Sequence, residues 1–125
     1  MYLIAGATGE TIGLVVSVIG VAPQFVGGIL NLTKHSVADK NIDHIGYRRD
    51  LQTPFGIWVI LIGTLTLIPS TAFLGVILET AWMGGAIAAH VRVRDNYVLQ
   101  LIIPILVWIG FGLRYQAEMH RLFGF

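Results

Sequence analysis

The stretch 51–91, LQTPFGIWVILIGTLTLIPSTAFLGVILETAWMGGAIAAHV, decides the fold, because among Asp, Glu, Lys and Arg it carries only Glu79. A membrane-spanning helix needs about 20 mostly apolar residues, so this stretch is far too long for one span. Pro69 interrupts it, and proline removes a backbone donor and disfavours helix at the preceding residue. We therefore predict two spans, at about 51–68 and 71–91, joined by a tight turn.

Two further uncharged stretches lie on either side, at 11–33 and 96–113. They predict span one at about 11–33 and span four at about 97–115. The composition agrees, since 55% of the residues are hydrophobic and 12% are charged, against roughly a quarter charged in soluble domains. Helices satisfy their own backbone hydrogen bonds in lipid. We predict an all-α integral membrane four-helix bundle, with residues 1–125 forming a single membrane domain.

Several other classes of protein are disfavoured. The opening MYLIAGATGETIG, residues 1–13, resembles the start of a dinucleotide-binding domain, but no second strand follows and no acidic residue lies about 20 positions later. The net charge of +1 and the lack of a long basic run argue against a nucleic-acid partner. The chain has no cysteine, which excludes disulfides and thiolate metal sites.

The segment between spans one and two, HSVADKNIDHIGYRRD (35–50), is polar, with apolar residues spaced for one helical face. We predict a short amphipathic helix at the membrane interface. Ser36 followed by Asp39 resembles a capping box that would begin this helix. Gly46 would end it.

Orientation follows from the basic residues in the short loops. Four spans place six Lys and Arg residues on the side of the two polar loops and two on the side of the termini. This bias predicts that loops 34–50 and 92–96 are cytoplasmic and that the protein lies in the cell membrane.

Span one carries a seam of glycine and polar residues whose steps alternate between three and four. Its members are Gly13, Ser17, Gly20, Gln24, Gly27 and Asn31. Small residues let a second helix approach closely, and polar residues avoid lipid by facing the bundle interior. We expect this seam to face the interior or a protein partner.

Span three carries a second stripe, with Glu79 and His90 on one helical face. An ionisable group inside a span is a functional hypothesis by default; the alternative is a structural Glu79 hydrogen-bonded to Gln24, Thr64 or Thr66. Gly84 and Gly85 form small-residue pairs with the alanines four positions later, a pattern typical of close helix packing.

His90 lies near a span end beside Arg92 and Arg94, where it could bind an anionic head group, a quinone carbonyl or a metal, or cap its helix. The spacing of His35, His44 and His90 matches no metal-ligand signature. No nucleophile elbow, phosphate loop or carboxylate pair is present, so we assign no catalytic residue and no metal site.

Residues 67–95, LIPSTAFLGVILETAWMGGAIAAHVRVRD, resemble the third-helix signature of the DoxX-like membrane proteins. A weaker match covers Gly27-Gly28, Lys34 and Gly46-Tyr47. The chain departs from that signature at five positions, namely Ser70, Glu79, Ala81, Trp82 and Arg94. The resemblance implies a four-helix membrane bundle in a family named for a subunit associated with a thiosulfate:quinone oxidoreductase.

On that basis we expect a non-catalytic accessory subunit or partner of a quinone-linked membrane redox enzyme. The alternative is a binder or carrier of a small hydrophobic ligand such as a quinone or lipid. Expected partners are the lipid bilayer and a protein partner or a second copy of the chain. The candidate binding residues are Gln24, Lys34, Glu79, His90, Arg92 and Arg94, and the candidate packing residues are Gly13, Gly20, Gly27, Gly84 and Gly85.

Overall fold

The structure, a computed structural model, describes residues 6–124 and is 87% helical, with no strand among those residues. The helices are α1 (Gly6–Leu32), α2 (Ser36–His44), α3 (Gln52–Leu67), α4 (Ala72–Arg92), α5 (Val98–Arg114) and α6 (Gln116–Phe123). Short 3-10 turns at Arg49–Leu51 and Pro69–Thr71 precede α3 and α4. The predicted all-α membrane helical bundle is confirmed.

Four long helices form the bundle. Helix α1 packs against α3 and α5, and α4 packs against the same two helices. Helices α1 and α4 therefore lie diagonally opposite each other, and the space between them is the axis of the bundle. The buried core on this axis includes Val21, Val76 and Val107.

Three helical segments of the described chain are long and apolar enough to cross a membrane: Ala7–Leu32, Arg49–Leu67 and Pro69–Arg92. The fourth predicted span is shorter, because α5 has 17 residues and α6 leaves it at an angle of 107° after a break at Tyr115. Helix α6 was not predicted; it is amphipathic, with Met119 buried and Phe123 edge-on to Trp108.

The connections follow the turn chemistry of the sequence in part. The predicted turn at Pro69 is present as a 3-10 turn, and Gly46 follows α2 at a φ of 83°, a conformation that suits glycine. The predicted Ser36 cap is wrong. Ser36 is already helical, and the cap is His35, whose Nδ1 accepts a hydrogen bond from the Val37 N–H at 3.1 Å.

The glycine-rich opening is helical rather than a nucleotide-binding loop. Residues from Gly6 onward belong to α1, and the first five residues lie outside the described part of the chain. Farther along, Gly13 serves close packing, because a Cβ there would lie 2.7 Å from the backbone nitrogen of Arg114 and 2.8 Å from the carbonyl oxygen of Gly110. The small residues thus allow α1 and α5 to touch along their backbones.

Arg114 links the end of α5 to the end of α3. Its guanidinium donates to the carbonyl oxygens of Thr66 at 2.9 Å and Leu67 at 2.8 Å, and it lies over the Tyr115 ring. The last carbonyls of a helix lack partners within it and carry partial negative charge. The cation therefore caps α3 at the end of the bundle where the chain turns into α6.

Candidate functional site

A chamber of about 330 Å³ lies in the half of the bundle nearest α2. All four long helices contribute to its walls, and α2 lies over it. The polar lining residues are Gln24, Asn31, Asn41, Tyr47, His90 and Gln100, and the larger apolar ones are Ile42, Ile45, Phe55, Val59, Trp82, Met83, Leu99 and Ile103. Its volume is in the range of sites for small organic ligands.

The inner end of the chamber is marked by Gln24 on α1, which is only 4% exposed. Glu79 on α4 is fully buried beside it, close enough for the amide to act on the carboxyl group. Neither oxygen of Glu79 and neither polar atom of Gln24 has a hydrogen-bond partner with acceptable geometry among the described residues. Such groups destabilise a folded protein unless something satisfies them.

An aromatic wall forms one side of the chamber. The rings of Tyr47 and Phe55 meet edge to face at 5.5 Å between centroids, and those of Phe55 and Trp82 do so at 5.2 Å. Val59 and Ile103 add aliphatic surface. The middle of the chamber is therefore apolar, although its inner end is polar.

Glycines leave part of this space open. A Cβ at Gly27, Gly84 or Gly85 would meet no atom within 4 Å among the described residues. Among the described residues no helix packs closely against these three, so the packing role expected for them from the sequence stays a prediction. Gly27 and Gly85 line the chamber instead, whereas Gly84 is exposed on the outer face of α4.

At the outer end, His90 and Gln100 form a polar pair. The Nδ1 of His90 lies 2.8 Å from the Ala86 carbonyl oxygen and must donate to it, which leaves Nε2 as an acceptor for the Gln100 amide at 3.4 Å. The Gln100 Oε1 is buried and has no partner in residues 6–124. This pair thus offers a ligand a further unsatisfied acceptor.

Helix α2 covers the chamber and is held in place by contacts at its C-terminal end. Ile42 and Ile45 are buried and face the chamber. The guanidinium of Arg92, at the end of α4, donates to the Ile45 carbonyl oxygen, and His44 lies 3.4 Å from Asp95. These contacts connect α2 to the loop between α4 and α5.

The predicted binding residues therefore separate into three groups. Gln24, Glu79 and His90 lie at or beside the chamber, and Arg92 holds its covering helix. Lys34 and Arg94 are exposed outside it, and the Lys34 Nζ donates to the Thr53 hydroxyl at 3.0 Å. Gln100 and the aromatic wall were missed, although a lone glutamine in an uncharged span is a signal that could have indicated Gln100.

The arrangement can bind a molecule and orient it. Within the described residues no group of three His, Asp or Glu side chains could hold a metal ion. Glu79 and His90 lie eleven positions apart on α4 and share no hydrogen bond. The ring nitrogens of His90 form hydrogen bonds with Ala86 and Gln100 instead. What the chamber offers a ligand is an apolar middle with hydrogen-bonding groups at both ends.

Comparison with known proteins gives one match. The model of the DoxX-like family matches residues 15–111, which include α2 to α4, about two thirds of α1 and most of α5. No curated protein matches the chain, and no solved structure matches it.

Proposed function

Since the chain belongs to the DoxX-like family, whose membership leaves ligand and partner open, we propose that it binds a small amphipathic ligand in the chamber. The observation that supports this most is Gln24, a buried amide at the inner end of an open cavity whose polar atoms have no hydrogen-bond partner of acceptable geometry among residues 6–124. A ligand would supply the missing hydrogen bonds and fill the apolar middle. A quinone or a lipid fragment has this combination of polar and apolar parts.

Entry from the bilayer fits the exposure of the lining. Ala81 and Gly85 on α4 and Leu99 on α5 border the chamber and are also exposed at the bundle surface. A molecule dissolved in lipid could reach the chamber beside these exposed apolar residues without crossing the polar face. The protein would then act as a binder or carrier rather than as an enzyme.

Two glycines provide a matched test. Gly27→Leu places a side chain into the chamber, whereas Gly84→Leu adds the same side chain on the outer face, and neither Cβ meets an atom within 4 Å. Binding of menadione to the purified protein in mild detergent can be followed by quenching of tryptophan fluorescence. We expect Gly27→Leu to weaken binding about tenfold or more by occupying the site, with Gly84→Leu equal to the parent. Equal binding by all three folded proteins would contradict the proposal.

A role as an accessory subunit is the second candidate, because the middle of one face of α4 exposes a run of small residues. These are Ala81, Gly84, Gly85 and Ala88, a surface suited to a helix of another chain. The same variants separate the two roles. Loss of a co-purifying protein partner from Gly84→Leu, with its retention by Gly27→Leu, would support the accessory role.

We also propose that the α2 end of the bundle faces the cytoplasm in the cell membrane, because the loops at that end carry most of the basic residues. The chain has no cysteine, so single cysteines at Asn41 and Asn96 can be labelled without background. Labelling of both from the cytoplasmic side is expected. Labelling of both from outside would reverse the orientation.

A further inference from the structure

Glu79 is a fully buried ionisable group whose oxygens have no hydrogen-bond partner among the described residues. It is fully buried and lies thirteen residues before the end of α4 at Arg92, or about 20 Å along the helix. It therefore lies deep in the bundle, beyond the inner end of the chamber. A carboxyl group in such a place destabilises the fold unless another group forms a hydrogen bond or an ion pair with it.

The neighbouring hydroxyl groups form no hydrogen bond with the Glu79 carboxyl group. Thr66 donates to the Ile62 carbonyl oxygen at 2.8 Å, and Thr80 donates to the Val76 carbonyl oxygen at 2.8 Å while accepting from Trp108. The hydrogen bonds that the sequence allowed for Glu79 with threonines are thus absent from residues 6–124, and of the groups it named Gln24 lies beside the carboxyl group.

Among the described residues no basic side chain forms an ion pair with the Glu79 carboxyl group either. The two arginines at the ends of α4 and α5 are committed elsewhere: Arg92 binds the Ile45 carbonyl oxygen, and Arg114 binds the end of α3. These contacts lie near opposite ends of the bundle, with Glu79 between them. Within the described residues the carboxyl group has no ion-pair partner.

Acceptor atoms outnumber donor atoms at this inner end. When the Glu79 carboxyl group is ionised it accepts hydrogen bonds only, and Gln24 adds an amide oxygen as an acceptor beside its NH2 donors. A ligand group with several N–H donors and a positive charge complements them. A quinone carbonyl only accepts, so it would use the Gln24 N–H and leave the carboxylate unmatched.

The aromatic wall suits the apolar body of such a ligand. Rings of Tyr47, Phe55 and Trp82 border the chamber and would pack against that body while the ammonium group lies at the inner end. The carboxylate thus matches the charge of a lipophilic ammonium ion, and the rings match its body.

We propose, as an extension of the binding function above, that the ligand of the chamber is a lipophilic organic cation. Its ammonium group would lie against Gln24 and be neutralised by Glu79, and its apolar body would lie along Phe55 and Trp82. Met83, a flexible side chain at the same end of the chamber and one turn from Glu79, can move aside to let the two charges approach.

Phenylbutylamine and phenylbutanol test this assignment, because at neutral pH they differ chiefly in carrying an ammonium or a hydroxyl group. We expect the parent protein in detergent to bind the amine about tenfold more tightly than the alcohol, as hydrogen bonds to charged groups are the stronger. Glu79→Gln keeps the shape, removes the charge and should abolish this preference. Glu118→Gln, which neutralises an exposed carboxyl group on α6, should retain it.

A second variant keeps the proposal testable if Glu79→Gln does not fold. Gln24→Leu removes the polar group from the inner end and should also reduce the preference for the amine. A folded Glu79→Gln or Gln24→Leu protein that still prefers the amine as strongly as the parent does would overturn the assignment. So would equal binding of the two probes by the parent.

The two proposals fail in different ways. Equal binding of amine and alcohol, together with loss of menadione in Gly27→Leu, would leave the chamber as a binding site and refute the cationic ligand. If neither probe nor menadione distinguished Gly27→Leu from the parent, both proposals would be wrong.

Discussion

Replacing Gly13 and Gly27 by alanine should have opposite effects on stability, although both belong to the same seam of α1. At Gly13 the new methyl group would lie 2.7–2.8 Å from Arg114 and from the Gly110 carbonyl oxygen. Two of these contacts are with backbone atoms of α5, which no rotamer change can relieve. At Gly27 the methyl group would enter the chamber and meet no atom within 4 Å among the described residues.

The magnitudes follow from two contributions. Alanine favours a helix interior over glycine by about 1 kcal/mol, and overpacking costs about 1–3 kcal/mol. Because the contacts at Gly13 involve backbone, we expect its cost near the upper end, so that Gly13→Ala is destabilised by about 1–2 kcal/mol. Gly27→Ala should be stabilised by about 0.5–1 kcal/mol.

Reversible unfolding of both variants with SDS, from identical mild-detergent micelles, measures this difference by circular dichroism. The predicted separation between the two variants is about 1.5–3 kcal/mol. Equal stability of the two variants, or Gly13→Ala being the more stable, would refute the reasoning that the seam changes from helix packing to chamber lining along α1.

Three further predictions concern the ends of the bundle. Arg114→Met removes the cation that caps α3 and should lower the free energy of unfolding by about 1–3 kcal/mol in the same assay; an unchanged value would contradict that role. Arg92→Met removes the hydrogen bond to Ile45, so hydrogen exchange of the α2 amides should accelerate while that of α3 does not. Arg49 binds Asp43 through paired hydrogen bonds and holds the pKa of that carboxyl below its usual 3.8. The stabilising contribution of this ion pair to α2 is therefore present above pH 3.8 and is lost as the pH falls through the lowered pKa of Asp43 in the folded protein. Asp43→Asn should abolish this pH dependence of hydrogen exchange in α2.

The helices could be predicted because their signals are local. Charge gaps and Pro69 gave the positions of α3 and α4 to within about two residues, as is usual for helix ends. The amphipathic pattern similarly gave α2. The break at Tyr115 lies beside Arg114, whose partners are carbonyl groups some 47 positions earlier in the chain, a contact that no local pattern shows. The sequence of α6 is amphipathic as that of α2 is, so α6 was missed despite a local signal.

The chamber was predictable only in part. The polar seam singled out Gln24, and the stripe on α4 singled out Glu79, yet their proximity depends on α1 and α4 facing each other across the bundle axis. The small-residue pattern is likewise ambiguous. Gly13 and Gly27 share one spacing rule, but only the packing of the other helices determines which touches a neighbour and which borders a cavity.

The most direct test of the central claim, that the chamber is a ligand site, is photolabelling with a neutral aryl diazirine followed by peptide mapping. The account predicts adducts on α3 to α5 at chamber residues such as Phe55, Met83 and Gln100, which excess menadione and Gly27→Leu both suppress. Labelling confined to outward-facing residues such as Leu61 and Ile109, insensitive to menadione and to Gly27→Leu, would contradict it.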